Sequence, residues 1–185
     1  MGIATAQEGD ADRAAALLHD ALQRLRALDH QLAVATALYN LGSLALRRGE
    51  IERGESHLVE SIGIFQQFGN RWAVVASLAG LAEAAAKRGH LRRAAALIGA
   101  VDAQLASLGT HLDTPAQEPY RRTAEAARTR LGDEEWAAAR AWGAAMRFDE
   151  AVAYGLDLTS GAGVRGGWRH RHLGRTKPQN ARRRS

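Results

Sequence analysis

The chain has 185 residues, the size of one ordinary domain, and 46% hydrophobic against 24% charged residues is enough to bury a core. Alanine accounts for 39 residues and aromatics for only 5%, which favours close-packed helices over sheets; the absence of cysteine excludes disulfides, a Cys-ligated zinc site and a thiol nucleophile. The net charge of +5 is an uneven average: residues 161–185 hold eight basic residues and no acid, leaving 17 basic and 20 acidic residues in 1–160.

At the N-terminus, Met1 to Asp10 contain no Lys or Arg and no apolar stretch, so they do not read as a signal peptide. No run in the chain approaches 18 consecutive apolar residues, so no membrane span and no membrane partner are expected, and a cytoplasmic location follows as the expectation. Comparison of the chain with itself reveals one dominant feature. Gly9-Asp10, Gly49-Glu50 and Gly89-His90 recur at steps of about 40 residues. Leu18, Leu58 and Ile98 share a register, as do Leu25, Phe65 and Leu105, and Leu28, Phe68 and Leu108. Residues 33–69 and 73–109 agree at nine positions, among them Leu38/Leu78, Leu41/Leu81, Arg48/Arg88 and Gly69/Gly109. Alanine bias does not put leucines and glycines in phase, and a period in this range marks a solenoid of stacked units.

In chain order, Gly2 falls on Gly42, which makes residues 2–8 the end of a first helix, followed by a break at Gly9 and a helix from Asp10 to Leu28. That register starts the array in mid-unit; the expectation is a fragment or a wrongly placed start, the alternative a short natural protein whose first helix is exposed or dimerises. The next helix is predicted over about 30–48, with Ala33, Ala37, Leu38, Leu41 and Ala45 at helical spacing. Gly49 ends it, and a second helix runs over about 51–68 with Leu58, Ile62, Phe65 and Phe68 on one face. Gly69 stops that helix and Asn70 is placed to cap the next. The following unit repeats the pair over 70–88 and 91–108. Small residues at Gly42, Gly54, Ser61, Ala82 and Ala94 allow close helix approach.

Leu41-Gly42, Ala45, Gly54, Leu58 and Ser61, with Leu81-Ala82, Ala85, Ala94, Ile98 and Val101 in the next unit, resemble a tetratricopeptide repeat. Gly54 and Ser61 replace the family's alanines, the terminal proline is absent, and the period is about 40 residues where the family has 34. The longer period resembles the repeats of large MalT-type bacterial activators; HEAT and armadillo repeats also have periods near 40, and the Leu-Gly and small-residue register favours the tetratricopeptide reading over them. The resemblance implies an all-α fold: antiparallel helix pairs over 1–112, with the first repeat truncated.

Beyond the repeats, residues 111–117 read as a loop, with Thr114-Pro115 as a cap and proline in the first turn. Helices are predicted over 115–131, 133–146 and 149–157, separated by Gly132, with Asp133 as the cap of the second. This segment, 113–158, would cap the array. Core packing is the expected role of Trp136 and Trp142. The stretch containing Arg93-Ala94-Ala95, Leu97-Ile98-Gly99-Ala100, Pro115, Tyr120, Leu131-Gly132, Trp136, Trp142-Gly143 and Asp149-Glu150-Ala151-Val152 resembles the end of the helical region in actinobacterial LuxR-type ATPase regulators. The likeness covers about residues 30–157. It implies a signal-transducing transcriptional regulator whose other domains, or a separate protein, are the partners. The P-loop of those regulators has no counterpart here, and too few residues follow 157 for a helix-turn-helix, so ATPase and DNA-reading activities do not transfer.

From Thr159 the periodicity vanishes, and 159–185 is expected to be a disordered basic tail. It would contact nucleic acid through its arginines, with Trp168 stacking on a base, or it is a solvated or frame-shifted end without a role. His170 and His172 alone do not make a metal site. His19, His30, His57, His90 and His111 form no ligand pair; His57 is expected to be partly buried and His90 exposed. Asp133, Glu134 and Glu135 suit a helix start better than catalysis. No catalytic, cofactor or metal site is expected. The resemblance instead places partner binding on the concave face of the first helix of each pair, at Thr36, Tyr39, Ser43 and Arg47 in one unit and Glu83 and Lys87 in the next. Tyr39 leads, as an aromatic residue with a polar tip.

Overall fold

The computed structural model describes residues 2–157. The basic tail over 159–185, with Trp168, His170 and His172, lies outside the described residues. The first five helices are α1 (Gly2–Ala27), α2 (Gln31–Arg47), α3 (Ile51–Gln67), α4 (Arg71–Lys87) and α5 (Leu91–Ser107). Three follow: α6 (Thr114–Leu131), α7 (Asp133–Ala144) and α8 (Phe148–Leu156). The described residues contain no strand, and none of their helices is long and apolar enough to cross a membrane.

Helices α2 to α5 are each 17 residues long and are joined by three-residue turns. Every turn is made the same way. After α2, the Glu50 N–H donates to the Ala45 carbonyl at 2.9 Å and the Gly49 N–H to that of Leu46 at 3.1 Å. The same pair of bonds closes α3, α4 and α5, and also α1. The motif requires a left-handed residue just past the helix. Gly49, Gly69, Gly89 and Gly109 supply it with φ between 63° and 81°, and Asp29 takes it with φ 53°. The backbone period is thus half the sequence period, with two kinds of helix alternating.

Neighbouring helices pack in chain order from α1 to α5. Leu38, Leu58, Ile62, Leu78, Leu97 and Ile98 are fully buried. The small residues act as expected where α2 crosses α3: a Cβ on Gly42 or Gly54 would lie 3.1 Å from the carbonyl oxygen of the other. Ser61 is satisfied in the core by the Leu58 carbonyl at 2.8 Å and by the Ser77 hydroxyl at 3.2 Å. The repeat extends to ion pairs: Asp12 meets Arg48, and one unit later Glu52 meets Arg88. Arg88 also grips the buried Glu55 with two hydrogen bonds.

The N-terminus departs from expectation. Gly9 does not break the chain, and α1 is continuous from Gly2 to Ala27. Before Gly49 the helix carries Leu38, Leu41, Leu44 and Leu46, so folding back buries a large face. Residues 2–8 hold a single large apolar side chain, Ile3, and a hairpin there would bury too little to replace an uninterrupted helix. Two cap positions shift by one residue. Asp113, not Thr114, precedes α6, and Gly132, not Asp133, precedes α7. Asn70 caps α4 as expected, accepting the Ala73 N–H at 3.1 Å. His57 is half-buried as expected, but so is His90, which was expected to be exposed.

Helix α7 lies along α5 at backbone contact. A Cβ on Gly143 would sit 1.8 Å from the Ala96 carbonyl oxygen, and one on Gly99 would sit 2.0 Å from that of Arg140. Helix α8 is pinned by the buried Arg93, whose guanidinium donates to the carbonyls of Tyr154 and Gly155 at 2.8 and 3.0 Å and lies over the Tyr154 ring. Trp142 meets the same ring edge-on, with centroids 5.1 Å apart, and Trp136 packs against the core.

Candidate functional site

The alternation of helices puts α2 and α4 on one side of the array, where they face each other across a groove. The lining positions on α2 follow helical spacing: Thr36, Tyr39, Asn40, Ser43 and Arg47. Across from them α4 contributes Ala73, Ala76, Ala79, Gly80 and Glu83. The small side chains of α4 make the floor, and they leave a hollow of about 510 Å³ that adjoins another of about 310 Å³. The two share Tyr39, Asn40, Ala76 and Asp113.

Helix α6 builds one wall and α1 the other. Asp113, Pro115, Ala116, Pro119 and Tyr120 come from the start of α6, and Ala14, Leu17 and Leu18 from α1. The α6 wall is fixed in place. The Tyr120 hydroxyl donates to Asp102 at 2.8 Å and lies 3.0 Å from the Ile98 carbonyl, both on α5. Arg140 of α7 donates to the other Asp102 oxygen at 2.7 Å. Burial, reinforced by the Asp102 charge, pushes the Tyr120 phenol far above its ordinary pKa, so it stays a donor.

Electrostatically the groove has two unlike ends. Near Tyr39, burial and the Asp113 carboxylate raise the phenol above its usual pKa, against the opposing pull of Ser43 and Arg47. At the other end, half-buried Glu83 is raised by burial while Lys87, Arg47 and Arg122 pull it down. Lys87 lies 3.6 Å from Glu83, and Arg122 also reaches Glu118 at 3.7 Å.

Of the six residues expected on the concave face, Tyr39, Ser43, Arg47 and Glu83 line the larger hollow, and Thr36 joins Tyr39 in the smaller one. Thr36 spends its hydroxyl on the Leu32 carbonyl at 3.0 Å. Lys87 touches the site through Glu83 and does not line it. The α6 wall was not anticipated: it lies outside the repeat, so the register that located α2 and α4 carries no signal for it. Leu18 shares the register of the buried Leu58 and Ile98 yet lines the groove, and its neighbour Leu17 is 63% exposed.

The groove holds no nucleophile paired with a base, and no group of three or more His, Asp or Glu side chains suited to a metal occurs among the described residues. His19 and His57 do approach, with ring centroids 6.2 Å apart, on the other side of α2 beside Ala45 and Arg48. What the groove offers is an apolar trough with a phenol, an amide and separated charges. Comparisons with family models, with curated proteins and with solved structures find no match to this chain.

Proposed function

We propose that the chain is a non-catalytic helical-repeat module of tetratricopeptide type that binds a protein segment in the groove between α2 and α4. The observation that carries this reading is the convergence of Tyr39, Ser43, Arg47 and Glu83 on one open, mostly apolar hollow of about 510 Å³. Such a trough, with few polar groups and no catalytic constellation, suits recognition rather than chemistry. The sequence resemblance over residues 30–157 supports a cytoplasmic setting and a place in a LuxR- or MalT-type transcriptional regulator, with the regulator's other domains or a separate protein as the partner.

The test is selection of binders from a displayed library of 16-residue peptides, followed by competition with Tyr39→Ala/Arg47→Ala. Selected peptides should lose at least tenfold in affinity on the double variant, while its helicity by circular dichroism stays unchanged. Peptides that bind both proteins equally would place recognition elsewhere. A second reading rests on the eight basic residues in 161–185: nucleic-acid binding through the tail. A salt titration with and without residues 159–185 separates the two, because tail binding should vanish with the tail and fall steeply with salt.

A further inference from the structure

Resting on the groove reading above, we infer that the groove is selective for a segment with an apolar middle and opposite charges at its two ends, acidic towards Arg47 and basic towards Asp113. Three observations carry this. First, among the described residues neither Arg47 nor Asp113 has a hydrogen-bonded or ion-paired side-chain partner, although both line the groove. Most other charged side chains of the array are paired: Asp12 with Arg48, Arg26 with Glu60, Glu55 with Arg88. Second, three cations, Arg47, Lys87 and Arg122, act on Glu83, and of these only Arg122 has a further carboxylate, Glu118, so that end keeps an excess of positive charge. Away from Glu83, where the two hollows join, Asp113 lies beside the uncharged Tyr39 and Asn40. Third, the ends are separated. Arg47 lies eight residues along α2 from Tyr39, about 12 Å at helical rise. The floor between them is Ala76, Ala79 and Gly80. That span matches about two turns of a bound helix or about four residues of extended chain.

A peptide laid along the floor meets both charges at once. Its charges then fix its direction in the groove, since reversing it sets like charge against like at both ends.

Three synthetic 12-residue peptides with one shared apolar centre test this: one with lysines at one end and glutamates at the other, one with lysines at both ends, one with glutamates at both. Binding to the full chain is read by Trp fluorescence, Trp72 lining the Asp113 end. The mixed peptide should bind about fivefold more tightly than either uniform one at low salt, with the gap closing at high salt. Arg47→Glu should turn the preference to the doubly basic peptide and Asp113→Lys to the doubly acidic one. Equal binding of all three, lost on Tyr39→Ala, would overturn the charge selectivity and leave the groove reading standing. Binding that ignores Tyr39→Ala, or no binding of any of the three at millimolar concentration, overturns the inference. The library selection above then decides separately whether the groove binds anything.

Discussion

Helices α2–α5 and helices α6–α8 hold together by different means. In α2–α5 each joint is a local event: a glycine in the left-handed region, two backbone bonds across it, and a leucine-rich face that follows. In α6–α8 the decisive contacts are between residues far apart in sequence. Gly99 and Gly143 let α7 lie directly on α5, Asp102 ties Tyr120 to Arg140, and Arg93 grips the end of α8. Repetition makes a structure robust to change at any one place, while the cap depends on a few contacts without substitutes.

The sharpest way to break the cap is Gly143→Ala. A methyl group there meets the Ala96 carbonyl, a backbone atom that cannot turn aside, so α7 must leave α5. A loss of about 3 kcal/mol in urea unfolding is expected. In the array, Gly63→Ala is the contrast: no atom lies within 4 Å of the new methyl, and a gain of about 0.5–1 kcal/mol should follow. Equal effects at the two sites would erase the distinction drawn here.

Tyr120→Phe comes next. It removes the donor to Asp102 and should cost about 1–2 kcal/mol, with the α6 wall becoming faster to exchange amide hydrogens than α2 and α4. Asp29→Gly sharpens the other side of the comparison. Asp29 alone occupies the left-handed turn position without being glycine, so the change should add about 0.5–1 kcal/mol.

The smallest effect is a pH dependence. Burial, with His19 and Arg53 nearby, holds the His57 imidazole below its ordinary pKa. The unfolded chain therefore takes up this proton first. Stability from His57 is full above about pH 6.5 and is lost as pH falls through the folded value. His57→Leu, which installs the residue found at Leu17 and Leu97, should flatten the thermal midpoint between pH 7 and 5. A midpoint that still falls by the same amount would assign the dependence to other groups.

These differences explain what was legible in advance. The helices α2 to α5 and their turns follow from glycines in phase with leucines, because a helix end and its apolar stripe are local properties. Most of the groove-lining residues came instead from the tetratricopeptide resemblance, which implies that Tyr39, Ser43, Arg47 and Glu83 lie on the concave face. The unbroken α1 was not legible, because Gly9 carries the same signal as Gly49 and only the poverty of apolar residues in 2–8 decides against a turn. The close seating of α7 on α5 was not legible either: Gly99 reads as one more small residue until Gly143 is set against it.

The sequence by itself determined the helices and their order, for those rest on spacing along one chain. Only the tertiary structure decided that α6 walls the groove, that Asp113 and Arg47 line it together, and that Leu17 of α1 lines it too. Those are relations between segments up to a hundred residues apart, and what sets them is which surfaces fit closely enough to exclude water.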